Sequence, residues 1–223
     1  MRYICHRFAA LAFMLLFAAP VAALDVRTGV LRVDYPTILP ISRYDLKSDD
    51  LGFSGAVLAN EDNQTTGTFL GMTFSVDYVS ATPEEASAKL AEMLRQGTNL
   101  IVLMANAKDT LMLADQAGKN ALVINASARD TSLRDDQCRA NLIHVAPSYV
   151  MLADAVAQFA LWKKWPRWFL IYGSNPDDRA LGEAYRRSAR KFGAKIVEER
   201  EFEDTGGSRR TDTGHVLVQR QIP

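Results

Sequence analysis

Cysteine, histidine and long apolar runs are scarce in this chain, and each scarcity removes a class of function. Its 223 residues include two Cys and three His. Zinc sites need Cys and His in closely spaced sets; Cys138 and His144 with Asp135 and Asp136 are too few and too irregular to form one. Charge of one sign is missing as well, because 26 Lys and Arg balance 26 Asp and Glu. Neither nucleic acid nor an anionic membrane surface is therefore expected as a partner. Several signatures are absent too. No G-x-x-x-x-G-K-[ST] is present, which excludes a P-loop nucleotide hydrolase. No G-x-G-x-x-G follows the first strand, which disfavours a dinucleotide enzyme. No G-x-S-x-G accompanies Ser148, His144 and Asp154, and Ser148 fits a helix cap better than a nucleophile. No catalytic residue, metal site or cofactor is assigned.

No apolar run approaches the roughly 20 residues that span a bilayer. The longest at the N-terminus, Phe8–Ala19, follows Arg2, His6 and Arg7 and precedes the small residues Val21-Ala22-Ala23. That is the layout of a secretory signal peptide covering residues 1–23. The expectation is an exported, periplasmic chain with no stable membrane anchor after cleavage. Cys5 leaves with the signal, and the remaining Cys138 reads as a buried or idle thiol.

What is present is an alternation of short apolar runs and amphipathic stretches. Asn99–Met104 and Ala121–Ile124 read as strands buried on both faces. Between them, Lys108–Ala117 has helical spacing and Gly118 stops it. Two such strands joined by a helix predict a parallel pair with a right-handed crossover. Ligands of open parallel sheets sit outside the carboxyl ends of the strands. The loops containing Asn106-Ala107 and Ala126-Ser127 are therefore the candidate ligand loops, their backbone N–H groups suited to an anion.

The same reading gives strands at Gly29–Val33, Met72–Val79, Leu142–Val145, Trp168–Tyr172 and Lys195–Glu201. Helices are expected from Asp49 or Asp50 to about Asn60, after Thr82-Pro83-Glu84-Glu85, after Pro147-Ser148 and after Asn175-Pro176. The first would bury Phe53, Ala56, Val57 and Ala59. Asn63–Gly71 reads as a turn, Asp204–Arg210 as a loop, and Asp212 as the cap of a last helix ending at Ile222. The fold class is α/β with doubly wound parallel sheets. Trp162–Trp168, WKKWPRW, looks like a seam between two sheets. Tyr172 is a candidate for stacking on a ligand, and Asp177 for binding a cation or an ammonium group.

Specific strings carry a family resemblance. Gly55-Ala56, Leu58-Ala59 and Glu61-Asp62-Asn63, followed by Gly67 and Gly71, are similar to the first-helix signature of type I periplasmic binding proteins, the Leu/Ile/Val-binding class. A closer resemblance is to substrate-binding proteins of ABC transporters encoded with PQQ-dependent alcohol dehydrogenase systems. It rests on Asn63-Gln64-Thr65-Thr66-Gly67, Leu133-Arg134, Cys138-Arg139-Ala140-Asn141, His144, Ala146-Pro147-Ser148, Trp165 with Trp168, Glu201–Gly207 and Arg209–Asp212. The resemblance implies two hinged lobes closing on a small ligand, delivery to an ABC permease, and no enzymatic activity. The ligand would relate to alcohol oxidation. Lobe one is expected at 24–147, a crossover helix and seam at 148–166, and a partial second lobe at 167–223, the chain being truncated at its C-terminus. Amino-acid binders of this class place Ser and an Ala-Thr pair in the ligand loops, whereas here only Asn106 and Ser127 offer polar side chains. The alternatives left open are a hydrolase-like α/β enzyme and a fragment that binds nothing.

Overall fold

The computed structural model describes residues 24–36 and 46–202. The expected signal segment, the loop at 204–210 and the helix from Asp212 lie outside the described residues. Strand β1 spans Leu24–Val33, β2 Met72–Ala81, β3 Leu100–Met104, β4 Leu122–Asn125 and β5 Leu142–His144. They form one all-parallel sheet in the order β2-β1-β3-β4-β5. Strands β6, Arg167–Gly173, and β7, Lys195–Phe202, form a second parallel sheet. The helices are α1 Ser54–Leu70, α2 Ala86–Arg95, α3 Ala107–Ala117, α4 Tyr149–Trp162 and α5 Pro176–Phe192. No helix among the described residues is long and apolar enough to cross a membrane.

The strand order reverses direction after β2. With right-handed crossovers, that puts α1 on one face of the sheet and α2 and α3 on the other. The face under α2 and α3 carries the main core. Leu31, Val33, Ile101, Leu103 and Val123 pack there with Leu90, Met93, Leu113 and Ala117, each at most 5% exposed. The opposite face is covered less, because α1 packs chiefly over β2. Strands β3 and β4 accordingly alternate between buried and half-buried residues, and are not buried on both faces as their apolar composition suggests.

Helix α1 departs most from the sequence reading. Asn63–Gly71 lies within it or at its end and is not a turn. The polar string stays helical because Thr65 and Thr68 return their hydroxyls to the carbonyls of Glu61 and Gln64, at 3.0 and 2.9 Å. Such back-bonding satisfies the hydroxyls inside a helix. Gly67 permits close approach to β2, where a Cβ would sit 2.7 Å from the Met72 carbonyl oxygen. Gly71, at φ 66°, ends the helix in the left-handed region. The side turned to the protein is Phe53, Ala56, Asn60, Gln64 and Gly67, leaving Val57 and Ala59 exposed.

Three other helices start on caps legible in the sequence. Asn106, Ser148 and Asn175 accept the backbone N–H of Asp109, Met151 and Asp178. Helix α4 leaves the first sheet and packs on α5. Ala153 and Ala157 are buried there, and Asp154 accepts the Ser188 hydroxyl at 2.6 Å and pairs with Lys191. Cys138 is exposed, not buried. Its loop leads into the starting end of β5 and is held to the end of α3 by an Arg139–Asp115 ion pair.

Candidate functional site

Because the five strands are parallel, their carboxyl ends share one rim. Val33 is in register with Ala81, Leu103 with Asn125, and Asn125 with His144. The strand order reverses between β1 and β3, and crevices form at such switch points. Tyr35 stands there. Its hydroxyl donates to Asp109 at 2.5 Å and accepts the Asn106 backbone N–H at 3.0 Å. Burial, then the hydrogen bond to Asp109, holds the phenol well above its ordinary range, so Tyr35 is a neutral strut.

The two expected ligand loops are joined. The Ser127 hydroxyl donates to the Ala105 carbonyl oxygen at 2.8 Å. Asn106 is exposed, and Ala107, Ala126 and Ser127 are half-buried. The Asn106 side-chain oxygen caps α3 by accepting the Asp109 N–H at 2.8 Å. Below Ser127, the buried Asn125 carboxamide shapes the turn. Its oxygen accepts the N–H groups of Ser127 and Ala128, at 3.1 and 2.8 Å. Its nitrogen donates to the Ala128 carbonyl at 2.8 Å and meets His144 Nδ1 at 3.0 Å. The polar side chains of both loops are thus engaged in shaping them, and the first N–H groups of α3 remain for an incoming acceptor.

Asp177 belongs to the helix that follows the first strand of the second sheet. It lies in the first turn of α5, is exposed, and its charge acts on the Tyr149 phenol. Burial, reinforced by the charges of Asp177 and Asp130, pushes the Tyr149 phenol up to about 12. Asp130, two residues beyond Ala128, is raised by burial and then by the nearby Asp177 charge. Asn106, Ala107, Ala126 and Ser127 thus lie on two adjoining loops at the carboxyl ends of β3 and β4, and Asp177 acts electrostatically on Asp130 in the second of them. Tyr172, at the carboxyl end of β6, is engaged by its own sheet and helix. Its ring packs on Gly182 of α5, with the Arg186 guanidinium 5.0 Å from the ring centroid and bonded to its hydroxyl at 2.8 Å. Tyr35, Asp130 and Tyr149 were missed by the sequence reading. Their signal was position alone: the loops that follow β1 and β4, and the first residue of the helix leaving β5. Among the described residues no group of three or more His, Cys, Asp or Glu side chains is placed to hold a metal ion.

Residues 52–218 match the family model described as periplasmic binding protein. No curated protein matches the chain. Among solved structures, a branched chain amino acid ABC transporter periplasmic ligand-binding protein from Burkholderia xenovorans is 23% identical with TM-score 0.67, covering 88% of this chain and 50% of its own. An ABC transporter substrate-binding protein from Desulfitobacterium hafniense, solved in complex with Leu, is 17% identical with TM-score 0.65, covering 88% of this chain and 55% of its own. A Leucine-, isoleucine-, valine-, threonine-, and alanine-binding protein from Brucella ovis, in a closed conformation, is 17% identical with TM-score 0.64, covering 89% of this chain and 52% of its own. This chain thus spans about half the length of these structures, and at such identities the likeness is one of fold.

Proposed function

The chain belongs to the periplasmic binding protein family, and on that premise we propose that it is the solute-capturing component of an ABC transporter. It would hold a small ligand in the periplasm and present it to a membrane permease, without transforming it. The observation that carries this reading is the Ser127–Ala105 hydrogen bond, which makes one continuous edge of two strand-end loops. The Asp177 charge, in the first turn of α5, acts on Asp130 in the loop after β4 and on Tyr149 at the start of α4. Two bodies meeting at a polar crevice suit capture by hinge closure.

The ligand class follows from what lines the crevice. The start of α3 favours one negative group. Asp130 and Asp177 accept hydrogen bonds and disfavour further negative charge. A small molecule with one carboxylate and a hydroxyl or ammonium donor fits both. The resemblance to proteins encoded with PQQ-dependent alcohol dehydrogenases points the same way, toward a substrate or product of alcohol oxidation. PQQ itself, with several carboxylates, suits this crevice less well.

Thermal-shift and calorimetric titration of the purified chain test the reading. The panel comprises short alcohols, hydroxy acids, branched-chain amino acids and PQQ, with generic esters as controls. Saturable stabilisation by a monocarboxylate is expected, reaching about 2.7 kcal/mol at a hundredfold excess over Kd. A flat panel, or ester turnover without stabilisation, overturns it.

A further inference from the structure

We propose that His144 is a proton-sensitive positioning residue that sets the shape of the Ala126–Ala128 loop through Asn125. The inference rests on reading that loop as part of the ligand crevice. The geometry leaves no spare hydrogen-bonding capacity. The Asn125 oxygen already accepts two backbone N–H groups, from Ser127 and Ala128. Those two bonds fix which end of the amide is nitrogen. That nitrogen must then donate both its hydrogens, one to the Ala128 carbonyl and one to His144 Nδ1. Nδ1 is therefore an unprotonated acceptor, and the ring proton sits on Nε2.

A second proton on the ring would go to Nδ1 and set N–H against N–H. Turning the Asn125 amide would relieve that clash only by abandoning Ser127 and Ala128. Asn125 is fully buried, so no solvent is at hand to compensate. Arg134 adds to the resistance. Its Nη2 donates to the Ala146 carbonyl, and its Nη1 is buried without a partner among the described residues. An unneutralised guanidinium beside the imidazole opposes a second positive charge. Burial, then Arg134, holds His144 below its ordinary value, with the Leu133 backbone acting in the opposite sense. Acidification through the folded-state value thus forces the loop to change shape while the strands on either side stay paired.

Titration of the full chain by 15N NMR tests this without any ligand, so it stands or falls separately from the choice of solute. At neutral pH the His144 ring is expected to show the Nε2–H tautomer. On acidification, the Asn125 side-chain amide and the Ser127 and Ala128 backbone amides are expected to shift with the ring, at one shared midpoint below the ordinary histidine value. His144→Gln keeps an acceptor and a donor but cannot titrate, and is expected to abolish the shared transition. Asp130→Asn is expected to leave it in place. Loop amides that titrate at another midpoint, that follow Asp130, or that move unchanged in His144→Gln overturn the proposal. If His144→Gln does not fold, the shared midpoint and the tautomer in the unaltered chain still decide.

Discussion

Tyr35 ties β1 to α3 with a single oxygen that both gives and receives. Tyr35→Phe removes the donor to the buried Asp109 carboxylate, so a loss of about 1–3 kcal/mol is expected in urea unfolding. Asp130 should respond in the opposite sense. Its folded-state pKa is raised, so the folded chain resists ionising it. The penalty is absent where folded and unfolded chains both hold the proton. It grows as pH rises from the ordinary aspartate range, near about 4, through the folded value. Asp130→Asn is therefore expected to raise Tm at pH 7 and to leave it unchanged near pH 3, as scanning calorimetry would read. Asn106 and Ser127 were legible because short apolar runs reveal where strands end. Tyr35, Asp130 and Tyr149 were not, because partners 74 and 47 residues apart, such as Tyr35–Asp109 and Asp130–Asp177, leave no local pattern.

Helix α1 holds a matched pair of glycines that separates backbone entropy from packing. A Cβ at Gly55 meets nothing within 4 Å, whereas one at Gly67 meets the Met72 carbonyl oxygen. Gly55→Ala is expected to stabilise by about 0.5 kcal/mol, the usual gain from replacing a helical glycine. Gly67→Ala is expected to destabilise despite the same propensity gain, because backbone at 2.7 Å cannot step aside. Denaturant midpoints of the two variants should move apart. The contrast also explains the misread turn. Asn, Thr and Gly signal a loop when taken one at a time, but Thr65 and Thr68 bond to their own helix and Gly67 serves the contact with β2. Caps fared better because an N-cap is a local contact spanning three residues, as at Asn106, Ser148 and Asn175.

At the scale of the whole molecule, two parallel sheets are joined through the short 145–148 stretch and α4. Both sheets were readable from the alternation of apolar strands and helices. Which sides of α4 find partners was not, since its sequence is apolar nearly all round. One side packs on α5, while Met151, Val156, Phe159 and Trp162 are at least 50% exposed. A groove of about 500 Å³ continues from Val156 to Trp165, Phe169 and Ile171. Contiguous apolar surface of this kind promotes association. Trp162→Lys is expected to reduce concentration-dependent self-association in size-exclusion chromatography while changing stability by no more than about 1 kcal/mol, the worth of its aromatic and Lys163 contacts. Uniform strand direction has a practical side as well. Cys138 is solvent-facing and stands at the starting end of β5, steadied by Arg139 against α3. A dye or a solid support coupled to that sulfur would sit on the far side from the crevice, leaving the mouth open to solutes.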